Sequence, residues 1–328
     1  MTTQVGGPYF DELEVGMSFD SAPSLTLTDG LASTHRAISG ERLRLPLDHP
    51  LSSRVTGAAA PLASPALAWD VAIGQSTLAT HHVKANLFYR GLRFHRQAHV
   101  GDTLRTRAEV VGLRQNAERP GRAATGLAAL RVTCVDQHDR AILDFYRCAM
   151  LPLGGAPDPD RTIPHQDLST IGPSTNPTWT VPDGWDLAPL RRPGTRPAAE
   201  LVGERFAVSG DVVSSAPELA RLTLNIAAVH HDERVSGTRL VYGGHTISLA
   251  LAQATRAFPE LVTVLGWQSC DHTGPVTEGD TLTSLIEVIA AQPLAEGTAL
   301  HLRSLVSAHA GAAEARPVLD WRFVALFA

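Results

Sequence analysis

Gly101-Asp102-Thr103-Leu104, followed after four residues by Glu109-Val110, is written a second time as Gly279-Asp280-Thr281-Leu282 with Glu287-Val288. The two copies lie 178 residues apart in a chain of 328. Upstream, Gly16-x-x-Phe19 returns as Gly203-x-x-Phe206, at an offset of 187. Paired features in one order, with offsets differing by nine, describe one module written twice with drifting loop lengths. Functional residues can then be sought by comparing the halves, because a duplicated chain is free to keep its chemistry in one copy.

The connection between the copies is visible in composition. Ten prolines stand between Leu151 and Glu200, interleaved with Gly, Ser, Thr and Asp, and so dense a run can neither continue a helix nor fill a central strand. The reading is a first domain over 1–155, a proline-rich linker over 156–198 and a second domain over 199–328. A hydrophobic fraction of 44% and a charged fraction of 19% are those of a globular protein. A net charge of −5 gives no electrostatic footprint for nucleic acid. The start Met1-Thr-Thr-Gln-Val-Gly-Gly lacks the basic and apolar segments of a secretory signal, and no stretch reaches the roughly 18 apolar residues of a membrane span. Cys134, Cys148 and Cys270 read as buried thiols, not as a disulfide frame or a zinc site. The expected compartment is the cytoplasm.

Each half has the same order of elements: a short entry (Phe19, Phe206), a helix, an irregular loop, a very apolar helix, then β-rich segments. These fall at 82–96, 102–114, 125–137 and 141–151 in the first half, and at 261–271, 280–291, 298–309 and 316–327 in the second. Ser215-Ala-Pro-Glu218 has the pattern of a capping box opening the second half's first helix. The central helix starting at Gly243-Gly244 runs through Ile247, Leu249, Ala250, Leu251 and Ala254, apolar nearly all round, as suits a helix wrapped by a sheet. That order is a hot-dog module, and two predict an α+β double hot dog.

The loop before this helix reads Leu222-Thr-Leu-Asn225-Ile-Ala-Ala-Val-His230-His231-Asp232, and Arg239-Leu-Val-Tyr242-Gly243-Gly244-His245 follows. Here the chain resembles the MaoC-like enoyl-CoA hydratases and dehydratases, whose motif is an acidic residue, a His five positions on and an Asp two further, then a Gly opening the central helix. The form with Asn first is similar to the mesaconyl-CoA hydratase branch, also double hot dogs. Gly101-Asp-Thr-Leu … Gly112-Leu-Arg-Gln-Asn116 and His272-Thr273-x-Pro275 belong to the same likeness, which spans the chain apart from the linker. It implies a hydro-lyase that needs no metal or organic cofactor, acts on an acyl-CoA thioester and forms a homodimer or higher homo-oligomer.

The residues support the chemistry independently. Hydrating a 2-enoyl thioester needs a proton acceptor for water and donors for the charge that grows on the thioester oxygen. His230 can accept and return a proton, its ordinary pKa lying near 6.5. A helix N-terminus at Gly243-Gly244 offers free N–H groups as an oxyanion hole, worth roughly 3–4 kcal/mol per donor. Asn225 cannot act as a base and is read as orienting the water. Asp232 is read as support for His230, with the role of missing carboxylate also open. Tyr242, His245, His272 and Thr273 are candidate substrate contacts, His245 being equally placed to face the core. In the first half, Pro46 stands where His230 would be, Pro65 of Ala63-Ser64-Pro65 stands where Gly244 would donate, and Glu41 keeps a carboxylate without a partner. That half therefore reads as catalytically silent.

Two other functions compete. A hot-dog acyl-CoA thioesterase wants a carboxylate near the helix N-terminus, and none lies between Arg239 and Ala257. A non-catalytic acyl-CoA or acyl-carrier-binding protein has no use for His230. Neither His81-His82 nor the His230 loop has further ligands at metal-site spacing. A dicarboxylic, mesaconyl-like substrate wants an arginine in the pocket, for which Arg36, Arg93, Arg239 and Arg303 are candidates. Arg105, Arg107, Arg114, Arg119 and Arg122 are candidates for CoA phosphates or a solvated strand face.

Overall fold

The computed structural model describes residues 5–117, 120–155, 162–175, 177–311 and 314–328. Arg119 and part of the linker lie outside them. The first half contributes strands β1 (Ser18–Phe19), β2 (Leu25–Thr26), β3 (Ala85–Phe94), β4 (Thr103–Gln115), β5 (Thr125–Val135) and β6 (Ala141–Pro152), with helices α1 (Asp29–Ser39), α2 (Arg44–Leu47), α3 (His49–Thr56) and α4 (Pro65–Gln75). The second contributes β7 (Arg205–Val212), α5 (Ala216–Leu222), α6 (Gly243–Ala257), β8 (Leu261–His272), β9 (Thr281–Pro293), β10 (Thr298–His309) and β11 (Arg316–Phe327). The strands form one antiparallel sheet in the order β1-β4-β5-β6-β3-β8-β11-β10-β9-β7, with β2 beside β4. The halves join where β3 pairs with β8, Tyr89 opposite Cys270 and Arg93 opposite Gly266. It is a double hot dog.

The repeated sequence makes repeated hydrogen bonds. Gly101 and Gly279 sit at φ 98° and 93°, a region open to glycine, and donate to Leu27 O and Val213 O, each at 2.8 Å or less. Asp102 and Asp280 close the same turn, accepting from the N–H of His99 and Thr277 at 2.8 Å. Gln75 and Gln253 donate to Leu104 O and Leu282 O, tying each central helix to its own Gly-Asp-Thr-Leu strand. The matched bridges Leu62–His99 and Leu240–Thr277 fix the register of the two helix starts. In that register the first helical residue Pro65 corresponds to Gly243, not to Gly244 as the sequence suggested.

Every residue of α4 is buried, as is α6 from Gly244 to Thr255. Ser64 caps α4, accepting from Ala66 N, with Pro65 in the first turn. The capping box expected at Ser215 does not form. Ser215 lies at φ 58° with no cap bond, Ala216 N donates instead to Glu278 at 3.2 Å, and Glu218 turns out to Arg221. A left-handed residue carries its hydroxyl away from the helix mouth, so a side chain from the turn before β9 takes its place.

Two further features position the site. A Cβ on Gly74 would overlap the carbonyl of Thr223, so the missing side chain lets the end of α4 carry the loop that follows α5. The described part of the linker is packed, not free. Trp179, Leu187 and Leu190 are buried with Leu45, Val262 and Leu326, and Arg90 donates to the Ser169 and Ile171 carbonyls.

Candidate active site

A cavity of about 340 Å³ opens between the halves at the N-terminus of α6. The loop after α5 forms one wall and is pinned to the first half by two bonds. Ile226 N donates to Thr77 Oγ1 at 2.9 Å, and Ala228 N donates to His81 O at 2.9 Å. His231 donates to Asn225 O at 2.7 Å, closing the loop on itself.

His230 lines the cavity. Its Nδ1 donates to Leu240 O at 2.9 Å, so a backbone carbonyl sets the tautomer and leaves Nε2 as the acceptor facing the cavity. Burial first, then the charges of His231 and Arg147, lower its pKa to about 4. The imidazole is neutral at pH 7, as a proton acceptor must be. Asn225 is buried, its Oδ1 accepting from Ala227 N at 2.9 Å. That bond identifies the oxygen and turns Nδ2 into a donor with no protein partner. Asn225 can thus hold a water or substrate oxygen from the donor side.

Asp232 lies outside the cavity. It pairs with Arg234 at 2.7 Å and accepts from Arg234 N, and the side-chain bonds first, then the backbone one, lower its pKa to about 2. The support expected of it comes from Leu240 O, whose lone pairs already occupy His230 Nδ1. His245, which the sequence left open between site and core, does not line the cavity. It is fully buried, both ring nitrogens lack partners, and burial lowers it to about 4. It belongs to the core.

Gly243 borders the cavity, and a Cβ there would stand 2.7 Å from His272 Nε2. The glycine is needed to admit the His272 ring over the first turn of α6. The first-turn N–H groups of a helix lack intrahelical acceptors, so Gly243 N–H is left for a ligand. A Cβ on Gly244 would strike the Asp70 carboxylate and the Tyr242 ring, so this glycine also serves close packing. Tyr242 walls the cavity with its ring and donates its hydroxyl to Asp70 O at 2.8 Å. His272 and Thr273 both line the cavity. His272 Nε2 has no partner, and burial, then the charges of Arg147 and His230, lower it to about 4.

The sequence reading missed Arg147. Its side chain comes from β6 into the cavity at 3% exposure. Nε donates to Asn86 Oδ1 at 3.1 Å, Nη1 to Ser76 Oγ at 2.8 Å and Nη2 to Thr80 Oγ1 at 3.3 Å. All three partners are neutral, two of its five N–H donors remain, and no ion pair reaches it among the described residues. Period-two alternation places it on one face with Phe145, Ala149 and Leu151, all buried. A lone arginine on that apolar stripe was the available signal. None of Arg36, Arg93, Arg239 or Arg303 lines the cavity, and Arg303 is committed to Asp320 at 2.6 Å. Arg105 pairs with Asp139, and Arg107 donates to Ser18 Oγ.

In the first half, α2 and α3 replace the His230 loop and place Pro46 inside a helix. Glu41 does have a partner, because Ser64 Oγ donates to it. Burial raises its carboxyl to about 7. It borders a separate cavity of about 290 Å³ with Arg36 and His49. His82 stacks on Tyr9, the ring centres 4.1 Å apart. No cluster of His, Cys, Asp or Glu among the described residues could hold a metal ion.

No family model matches the chain. Over 319 residues it is 30% identical to the beta-methylmalyl-CoA dehydratase of Chloroflexus aurantiacus, covering 92% of this chain and 88% of that one. The chain belongs to the MaoC-like enoyl-CoA hydratase and dehydratase family. The mesaconyl-CoA hydratase of Cereibacter sphaeroides is 28% identical over 323 residues, covering 92% of this chain and 90% of that one. Among solved structures, a conserved Mycobacterium tuberculosis protein described as having a double hotdog fold is 58% identical, with a TM-score of 0.92 over 99% of both chains. A MaoC domain dehydratase from Chloroflexus aurantiacus superposes with a TM-score of 0.81 at 26% identity, again over 99% of both. This MaoC-like chain thus matches both of these structures over nearly its whole length, through both halves and the segment between them.

Proposed function

We propose that this protein reversibly hydrates a short or branched 2-enoyl-CoA whose acyl group carries a carboxylate, a mesaconyl-CoA-like substrate. The observation that carries the substrate class is Arg147, a buried cation in the cavity wall with only neutral partners. An uncompensated buried charge costs several kcal/mol, and a substrate carboxylate on its two remaining donors offsets that cost.

The steps follow from the donors and acceptors present. The thioester oxygen accepts from Gly243 N–H at the positive end of α6. Asn225 Nδ2 donates to the water oxygen, and His230 Nε2 accepts one water proton as the oxygen bonds to Cβ. The electron pair of the Cα=Cβ bond moves into an enolate, and the imidazolium returns the proton to Cα. One water is consumed and the imidazole is regenerated, so no external proton or electron is needed. Arg147 charge lowers the basicity of His230; a bound carboxylate relieves that effect, coupling recognition to the base.

A panel of enoyl-CoAs with and without an acyl carboxylate, followed by enoyl absorbance, tests the reading. The carboxylated substrates are expected to be preferred, and Arg147→Gln is expected to raise KM for them by roughly tenfold or more while sparing crotonyl-CoA. Equal turnover of both classes in wild type and variant would remove Arg147 from recognition. Release of free thiol from saturated acyl-CoA without hydration would replace the hydratase by the thioesterase.

A further inference from the structure

The duplication gives the active-site mouth a counterpart in the other half. Thr77, at the cavity wall, donates to the carbonyl three residues back, Gly74 O, at 2.6 Å. Thr255 makes the same bond to Ala252 O at 2.7 Å. Beside Thr255, between the end of α6 and the first half's loop, a cleft of about 500 Å³ opens. Four arginines line it: Arg42 just before α2, Arg44 from α2, Arg192 from the linker and Arg256 from α6.

The chamber behind this second mouth is filled. In the active half, Tyr89 of β3 faces Arg147 of β6 across the ladder, and both line the cavity. The corresponding pair across β8 and β11 is Trp267 and Phe323. Both are buried, and Phe323 stacks on Trp321 with ring centres 3.8 Å apart.

The four arginines outnumber the acids beside them, which are Asp211, Asp48 and Glu260. Arg256 is committed to Asp211 at 2.6 Å, and Arg44 donates to Leu190 O at 3.0 Å. The side chains of Arg42 and Arg192 have no hydrogen bond or ion pair among the described residues. Burial first, then the Arg192 charge, draws the Arg44 pKa down, against the opposing charges of Asp48 and Glu260. In a chain of net charge −5 this is a local reversal of sign, confined to a cleft instead of spread along a face.

We propose that this cleft is a second, non-catalytic site for a phosphate-bearing small molecule, the phosphorylated adenosine head group common to coenzyme A and free adenine nucleotides. Guanidinium forks match phosphate oxygens in pairs, and exposed Leu47 with Pro259 supplies an apolar wall for the rest of the ligand. The anion site rests on the duplication and the charges; the choice of a coenzyme A head group also rests on the function proposed for the active half.

Calorimetric titration of the full chain with free coenzyme A, adenosine 3′,5′-bisphosphate, ADP and inorganic phosphate tests it. Two coenzyme A sites per chain are expected, one of them weakened tenfold or more in Arg42→Gln/Arg192→Gln and weakened steeply by salt. Enoyl-CoA turnover by that variant is expected to be unchanged, since neither residue touches the active cavity. A single site in wild type, or two unaltered sites in the variant, overturns the proposal. Inorganic phosphate binding as tightly as the nucleotides would keep the anion site and remove the adenosine. A chain that hydrates no enoyl-CoA but loses one nucleotide site in the variant would refute the proposed function alone.

Discussion

At His230 the sequence singled out a residue that does line the cavity, and misjudged what holds it. A His-x-Asp spacing invites a carboxylate–imidazole pair, yet Asp232 turns to Arg234 two residues on and Leu240 O holds Nδ1. Spacing cannot tell which of two nearby acceptors a ring will find once the loop closes. His245 was ambiguous for a related reason, since a helix apolar all round offers no stripe to orient a polar side chain. His230→Ala is expected to lower kcat by roughly 10²–10⁴, with Glu41→Gln close to wild type because Glu41 borders a different cavity. The pH profile carries a sharper expectation. Since the base acts when neutral and its pKa is lowered to about 4, kcat/KM for free enzyme should stay level from neutrality through pH 6.5. It should fall only as pH drops through about 4. An acidic limb centred near the ordinary histidine value would mean that His230 is solvated in the working enzyme, and the desolvated base would have to be given up.

Among elements, the helix starting at Gly243 was legible from composition, but the meaning of its two glycines was not. Both were read as oxyanion donors. The packing around them differs, with His272 over Gly243 and the Asp70 carboxylate against Gly244. The same register places Pro65 of the silent half opposite Gly243, a correspondence that the unequal loops concealed, because α2 and α3 add length before α4. Alanine substitutions should therefore part company. Gly244→Ala drives a methyl group into buried Asp70 and is expected to cost about 1–3 kcal/mol, as other overpacked cores do, read as a lower denaturation midpoint. Gly243→Ala displaces the His272 ring at the cavity edge and is expected to lower kcat/KM with a smaller stability loss. If Gly243→Ala is silent in kinetics, the first turn of α6 does not meet the thioester.

For the whole molecule, the duplication was legible because turn chemistry repeats as sequence: a glycine at positive φ and an aspartate closing the turn must both be spelled out. The division of labour was not, because it depends on strands meeting across the β3–β8 junction. The first half was read as a wall, and it does lack a counterpart of His230, but it also supplies Arg147, Tyr89 and Thr77 to the cavity. The catalytic loop itself hangs on first-half atoms, through Thr77 Oγ1 and His81 O. The chemistry proposed for the second half thus draws on the first for recognition and for loop geometry. A chain cut within 156–161 provides the test. Residues 162–328 alone are expected to give no measurable hydration despite carrying His230, Asn225 and Gly243, and mixing with 1–155 during refolding is expected to restore it. The buried surfaces of α4 and α6 supply the drive for reassembly, since each central helix is covered on one side by the other. Full activity from the second half alone would mean that a second copy of that half can replace the first, and the assignment of Arg147 would fall with it.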